Sequence, residues 1–317
     1  MPVSDIDLEL NQVIEILRET LPGAQVSGVA RMSGGGISGA HLVTFADGSA
    51  PVVLKVYAED DGWRLGKEIF VYRMLREHGV TAIPKLLGGA PADRSPIGRP
   101  YLVMSKVVGT PAAYLMSDLA EDQGAAVYRQ MGAILRQVHG IGQEAFGYLT
   151  TGLHEAEPTN EAFMRTLFGK RAEIFLQHTG DRETFEAAHK YVANRAELLA
   201  LCATPVLLHN DFHEGNILVD LTADGPLVTG FVDVENAMAG DPVADFAKLH
   251  SYCIGGDQVK LRALFEGYGS APVQWEPRRR LYQLIHDFEL WVWFRQTGEH
   301  NYQDELVADV REIIATG

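Results

Sequence analysis

Leu207-Leu208-His209-Asn210-Asp211-Phe212-His213-Glu214-Gly215-Asn216-Ile217-Leu218-Val219-Asp220 is the segment from which the rest of the chain is best read. Two apolar runs enclose a polar turn in which Asp211 and Asn216 stand five residues apart. Phosphoryl-transfer catalytic loops have this spacing: the Asp carboxylate accepts the proton of an attacking hydroxyl, and the Asn amide oxygen coordinates a magnesium ion bound to ATP. An apolar strand ending in a turn braced by His209, Asp211 and Asn216 would carry the same local pattern. The loop points to the chemistry, and other parts of the chain must decide it.

Three further segments stand in compatible order. Phe231-Val232-Asp233-Val234-Glu235 is a β-type run ending in carboxylates, reached through a turn at Asp224-Gly225-Pro226. Magnesium prefers hard oxygen ligands, so Asp233 is the natural metal carboxylate beside Asn216, with Glu235 as an accessory contact to the metal or its surroundings. Near the N-terminus, Gly34-Gly35-Gly36-Ile37-Ser38-Gly39 matches G-x-G-x-x-G, and Gly35, Gly36 and Ser38 are candidates for backbone approach to phosphates. A dinucleotide fingerprint would open a helix at this point; here residues 41–45 and 51–57 read as strands around an Asp47-Gly48 turn, which makes a glycine-rich hairpin. Lys55 lies in the apolar run Val52-Val53-Leu54-Lys55-Val56-Tyr57, and a helical pattern over 63–78 carries Glu68. A strand lysine held by a helix glutamate is the ion pair that orients ATP in kinases; each residue alone reads as an ordinary surface charge.

With these residues in view the chain resembles the aminoglycoside phosphotransferase and choline kinase-like group, small-molecule kinases of the protein-kinase-like superfamily, from about Ser27 to the C-terminal helices. Asn236-Ala237-Met238-Ala239-Gly240-Asp241-Pro242-Val243-Ala244-Asp245-Phe246-Ala247-Lys248-Leu249 is similar to that group's Gly-Asp-Pro-x-x-Asp-Leu-Ala signature, which protein kinases lack. The resemblance implies an α+β, bilobal fold. A nucleotide-binding lobe over 1–108 would hold a small antiparallel sheet with one main helix, and a mostly α-helical lobe over 109–317 would carry catalysis and acceptor binding. It implies Asp211 as catalytic base, Asn216 and Asp233 as metal ligands, Lys55 on the phosphates with Glu68 as its partner, Asp245 bracing the loop from a helix start, and His209 in structural support. The sequence departs from the group at Asn210, where Gly is usual, and at Val234, where an aromatic is usual. Tyr101-Leu102-Val103-Met104-Ser105-Lys106-Val107-Val108-Gly109 resembles the hinge between lobes, with Ser105 and Val107 offering main-chain contacts to a purine and Met104 lining the back of its pocket.

Helical periodicity marks a segment ending near 139–140 and further helices over 161–178, 183–201, 258–268, 277–296 and 302–315. The 317 residues and 46% hydrophobic content suffice for two cores. Cys202 and Cys253 read as buried thiols in a reducing cytoplasm rather than as a disulfide or metal site. No apolar run approaches the ~20 residues that span a bilayer, and the first residues are acidic where a secretory signal is basic, which predicts a cytoplasmic protein without a membrane partner. A net charge of -15 and a pI near 5.1 argue against nucleic acid. They suit a small, hydroxylated, cationic substrate beside the nucleoside triphosphate, ATP or GTP, with Mg2+ as cofactor.

For the acceptor, Asp287 and Glu289 in Asp287-Phe288-Glu289-Leu290-Trp291-Val292-Trp293-Phe294 are candidates for an ammonium group, and Glu235 is a third. Trp291 and Trp293 read first as packing residues, and a loop over 148–160 with Glu155 and Glu157 also borders the expected site. The reading is an ATP-dependent O-phosphotransferase acting on an aminoglycoside or related antibiotic. Its alternatives are a kinase of a metabolite hydroxyl such as choline, a sugar or a hydroxy amino acid, a protein kinase, and an inactive nucleotide-binding regulator. The short interval from Asp233 to Asp245 leaves no room for a long activation loop, which disfavours the protein kinase. Monomer and homodimer stay open.

Overall fold

The computed structural model describes residues 8–32 and 39–317. Gly35, Gly36 and Ser38, like the acidic N-terminal residues, lie outside the described residues. In chain order the first part comprises α1 (Leu10–Thr20), β1 (Val26–Arg31), β2 (Gly39–Phe45), β3 (Val52–Val56), α2 (Gly62–Glu77), β4 (Leu86–Ala90) and β5 (Tyr101–Ser105). The strands form one antiparallel sheet in the order β1-β2-β3-β5-β4. In β2 burial alternates residue by residue, as expected of a strand with one covered face, whereas β3, flanked on both sides, is covered on both. Leu54 and Val56 join Val13, Ile16 and Leu17 of α1 in one apolar cluster. Tyr57, Leu102 and Met104 join Leu65 of α2 in another. The sheet is therefore sandwiched between two helices, and Lys55, alternating with Leu54, is turned to the α2 side.

The second part comprises β6 (Thr110–Pro111), α3 (Glu121–Val138), β7 (Phe146–Leu149), β8 (Leu153–Glu157), α4 (Asn160–Thr179), α5 (Arg182–Ala193), α6 (Ala196–Ala200), β9 (Val206–Leu208), β10 (Ile217–Thr222), β11 (Gly225–Phe231), β12 (Met238–Gly240), α7 (Val243–Leu249), α8 (Gln258–Tyr268), α9 (Trp275–Thr297) and α10 (Gln303–Thr316). Two small sheets run in the orders β11-β10-β6 and β8-β7-β12-β9. Their pairings place the site. Leu208 pairs with Met238 at one end and Ile217 with Phe231 at the other, so the intervening segments, 209–216 and 232–237, are held side by side. Beneath them α3 and α8 meet at backbone distance: a Cβ on Gly132 would lie 2.0 Å from the Leu264 carbonyl oxygen, and one on Gly267 1.8 Å from that of Arg129.

Four expectations need correction. The run from Phe231 does not stay extended to Glu235: β11 stops at Phe231, Asp233 takes a left-handed φ of 69°, and Val234–Asn236 form a 3-10 turn. The helix over 183–201 is broken between α5 and α6, where Arg195 leaves helical dihedrals (φ -124°, ψ 20°) and lays its guanidinium 3.7 Å from the Tyr191 ring centroid. The loop over 148–160 contains the hairpin strand β8. Cys202 and Cys253 are free thiols, half-buried rather than buried, and burial raises their pKa values to about 12 and about 11. Among the described residues no helix is long and apolar enough to cross a membrane.

Candidate active site

Lys55 is the node of the cleft on the sheet side. Its Nζ lies 2.5 Å from Glu68 Oε1, 2.9 Å from Asp233 Oδ1 and 3.2 Å from Glu235 Oε2. Glu68 comes from the buried face of α2, one turn from Leu65 and from Tyr72, and also accepts a hydrogen bond from the Tyr57 hydroxyl at 2.9 Å. The Tyr72 hydroxyl accepts the Asp233 N–H at 3.2 Å, which ties the metal-candidate segment to α2. Burial alone would discharge Lys55, but Glu68 and Asp233 outweigh it and hold its pKa well above the ordinary lysine value. Burial likewise opposes ionisation of Asp233, and the Lys55 charge overcomes it to hold that carboxyl below its ordinary value. Glu235 thus lies among the cations of this side, with Arg64 Nη1 at 3.7 Å, rather than with Glu289.

The catalytic loop is fastened from three directions. Asp245, fully buried in α7, accepts the His209 N–H at 2.9 Å and the Asn210 N–H at 2.6 Å, and its Oδ2 lies 3.0 Å from His139 Nε2. Burial pushes the Asp245 carboxyl up, and the hydrogen bond and charge of His139 pull it below its ordinary value. His209 Nε2 lies 3.0 Å from the Val232 carbonyl, and the Val232 N–H donates to the Asn216 carbonyl at 3.0 Å. Both contacts stitch the loop to the Asp233 segment. Lys248 Nζ donates to the Asn210 carbonyl at 3.1 Å. Asn210 itself has φ 61°, a left-handed conformation that Gly adopts freely and Asn tolerates better than most residues, so the departure from Gly keeps the loop geometry.

Asp211 is left with its carboxylate oriented by side-chain amides. Asn216 Nδ2 donates to the Asp211 carbonyl at 2.9 Å and to its Oδ2 at 3.3 Å, and Asn236 Nδ2 reaches the same Oδ2 at 3.4 Å. The Asn216 amide nitrogen is therefore committed to Asp211, which leaves its oxygen as the atom for a hard cation. Carboxylate oxygens of Glu68, Asp233 and Glu235 lie within 4.8 Å of one another. Lys55 contacts all three, so the hard oxygens that suit Mg2+ at this edge of the cleft are those of Asp233 together with the free amide oxygen of Asn216.

On the acceptor side the structure separates the two helix carboxylates. Two positions apart on α9, Asp287 and Glu289 face nearly opposite ways. Asp287 turns into an apolar cavity with Phe175, Trp291, Leu306 and Val310, away from the catalytic loop, and burial raises its pKa well above the ordinary value. Asp287 therefore does not line the cavity that Asn210, Lys248 and Glu289 share. Glu289 faces Lys248 at 3.3 Å and His286 at 3.1 Å, beside Asn210. Burial would raise Glu289, but Lys248 and His286 hold it low. The His286 ring continues to the Tyr252 hydroxyl at 2.6 Å, and Tyr252 stands edge-on to His213, 5.7 Å between centroids. His213 Nε2 in turn lies 3.6 Å from Asp211 Oδ1. Trp291 is core, stacked edge-to-face on Phe175, while Trp293 is partly exposed against Phe294. Glu155 is a surface partner of Lys170 at 2.7 Å.

At the hinge Met104 is buried on the α2 side of the sheet. The Ser105 N–H donates to the Lys85 carbonyl at 2.9 Å, so that amide is not available to a purine. The chain next pairs Thr110 with Val219 in the second part. Sequence reasoning missed Tyr57, just beyond the Lys55 strand, and Tyr72, His139, Asn236 and Lys248, which act on groups farther along the chain.

The sequence matches the model of the phosphotransferase enzyme family over residues 33–282. It is 32% identical over 246 residues to the viomycin phosphotransferase of Streptomyces vinaceus, covering 74% of this chain and 77% of that protein. Among solved structures, the GDP and kanamycin complex of APH(2")-IIia aligns with a TM-score of 0.69 at 17% identity, over 98% of this chain and 100% of that one. A thermostable mutant of aminoglycoside phosphotransferase APH(4)-Ia, in ternary complex with ADP and hygromycin B, aligns with a TM-score of 0.68 at 19% identity, over 95% and 97%. These likenesses establish the shared kinase-like fold.

Proposed function

The chain belongs to the phosphotransferase enzyme family and phosphorylates an alcohol acceptor; from that premise we propose that its acceptor is a hydroxyl of an aminoglycoside or related antibiotic, with ATP or GTP as donor. The observation that carries the reading is the convergence on one cleft of Asp211, Asn216, Asp233 and Lys55, with one Asp211 oxygen held by two amides and the other toward His213.

Asp211 accepts the proton of the acceptor hydroxyl as that oxygen attacks the terminal phosphorus and the bond from that phosphorus to the departing ADP or GDP breaks, and Asn216 and Asn236 keep the carboxylate in line for it. Lys55, kept charged by its carboxylates, offsets phosphate charge. Asn216 and Asp233 would hold Mg2+, which when bound neutralises charge on the phosphates. Asp245 and Lys248 keep Asn210, and through it Asp211, in place. The viomycin in the name of the 32% identical relative, and the kanamycin and hygromycin B bound in the two structures of the same fold, are cationic antibiotics and support a cationic acceptor. Glu289, beside the loop, is the carboxylate this chain offers it.

The test is ADP or GDP release with Mg-ATP or Mg-GTP against aminoglycosides, basic peptide antibiotics, choline and sugars. Acceptor-dependent release with an antibiotic is expected. Release with choline or a sugar alone would replace the antibiotic by a metabolite.

A further inference from the structure

We propose that Glu235, Arg64 and Lys67 form a latch between α2 and the segment bearing Asp233, which keeps that segment seated when a nucleotide draws Lys55 away. The latch rests on the reading that the cleft takes a magnesium nucleotide.

Lys55 now serves Glu68, Asp233 and Glu235 at once. An ammonium has three N–H donors, so phosphate oxygens gain Lys55 only as it gives up some of these contacts. The carboxylates that remain have oxygens within 4.8 Å of one another. Like charges that close repel, and the repulsion is strong in a buried cleft. Asp233 and Glu235 lie on one 3-10 turn, while Glu68 is on α2. A weakened hold by Lys55 would therefore loosen the Asp233 segment from the helix except where the metal bound at Asp233 offsets the repulsion.

Two further cations of α2 stand on the Glu235 side of this cluster. Arg64 Nη1 is 3.7 Å from Glu235 Oε1, the oxygen that Lys55 does not use. Lys67, one turn along the helix, is 5% exposed and has no hydrogen-bond or ion-pair partner among the described residues. Burial lowers its pKa to about 8, and Glu235 is foremost among the charges that favour its ammonium form. No direct contact joins Lys67 to Glu235, and the attraction of Glu235 and Glu68 offsets only part of the burial cost, so the ion pair of Arg64 with Glu235 is the contact that closes the latch while Lys67 adds positive charge beside it. Glu235 is 7% exposed and belongs to the second lobe, whereas Arg64 and Lys67 belong to the first. With Tyr72 on the Asp233 N–H, the latch fixes the turn on either side of Val234. Glu235 is accordingly a positioning residue for Asp233.

The test measures the Mg2+ dependence of ADP release and of nucleotide binding by calorimetry in Glu235→Gln, Lys67→Met, Arg64→Ala, Lys67→Arg and the Glu235→Gln/Lys67→Met double variant. The two buried single variants are expected to raise the Mg2+ concentration for half-maximal activity about tenfold or more. The double variant should be no worse than its worse parent, because both changes remove one charge–charge coupling. Arg64→Ala, at a partly exposed side chain that does not threaten folding, should act in the same direction more weakly, and Lys67→Arg should stay near wild type. Unchanged Mg2+ dependence in the single variants, or additive losses in the double, would overturn the latch. A wild-type protein that binds no magnesium nucleotide would instead overturn the cleft reading beneath it.

Discussion

Replacing Asp245 by Asn is the sharpest perturbation of the catalytic loop, because it preserves volume and removes one acceptor. In the native protein the Asp245 carboxylate takes the His209 and Asn210 N–H groups on separate oxygens and pairs with His139. An Asn offers one oxygen and one NH2 group, so one backbone N–H faces a donor in a fully buried site. Hydrogen bonds to a charged group contribute about 1.5–3 kcal/mol each, and an orphaned buried donor costs about 1–3 kcal/mol. Disruption of a buried charged network then predicts a loss of about 3–5 kcal/mol. Asn210, freed from φ 61°, relaxes toward a commoner conformation and carries Asp211 with it. Displacement of the base by an ångström lowers kcat/KM by about a hundredfold. Urea unfolding at pH 7 and acceptor-dependent ADP release measure the two effects. The pH dependence has a definite sign: the native Asp245 pKa lies below its unfolded value, so the stabilisation is complete above the unfolded pKa near 3.8 and fades as pH falls through the native one. The wild-type advantage over Asp245→Asn should therefore shrink only in acid. A variant within about 1 kcal/mol of wild type and fully active would show that the carboxylate does not hold the loop.

Asp287 should behave in the opposite sense. Its native pKa is raised by burial, so its stabilisation is intact below the unfolded pKa and is lost as pH rises toward the native one; Asp287→Asn should be the more stable protein at pH 8, with the gap closing toward pH 4, and a pH-independent gap would contradict this. Gly132→Ala places a Cβ 2.0 Å from a backbone oxygen and should lower the urea midpoint by the equivalent of about 1–3 kcal/mol or more. Gly169→Ala in α4, with open space around it, should raise stability by about 0.5–1 kcal/mol, and equal effects at the two glycines would refute the close α3–α8 crossing. Asn210→Gly keeps the left-handed backbone and loses the hydrogen bond to the Asn236 carbonyl, so Asn210→Ala should be the less stable of the two by about 1 kcal/mol, checked in the same unfolding experiment.

Much of this site was legible because its chemistry is written in local patterns. Lys55 sits in an apolar strand, Glu68 on the next helical pattern, and Asp211 and Asn216 in one turn; each charge alone reads as surface, and it is their order along the chain that joins them into one site. What periodicity cannot supply is the face on which a mostly apolar helix is covered twice over. Asp287 and Glu289 looked equivalent in sequence, yet α10 covers one and the catalytic loop borders the other. Nor does local pattern reveal a strand that depends on its neighbour: Leu153–Glu157 carries two glutamates and a histidine, and pairs only because Phe146–Leu149 lies beside it. The end of β11 at Phe231 has the same origin. Val232 has β propensity, but its N–H is taken by the Asn216 carbonyl and the chain turns at Asp233. His139, Tyr72 and Lys248 act on residues 106, 161 and 38 positions away, and no local pattern announces those contacts.

The central claim is that Asp211 takes the acceptor proton while Asp233 serves the metal-bound nucleotide. It is tested most directly by measuring ADP release and Mg-nucleotide affinity in Asp211→Asn beside Asp233→Asn. The account predicts a fall in turnover of about 10²–10⁴-fold for Asp211→Asn with nucleotide affinity nearly unchanged, and loss of Mg2+-dependent nucleotide binding for Asp233→Asn. Near-wild-type turnover of Asp211→Asn would contradict it.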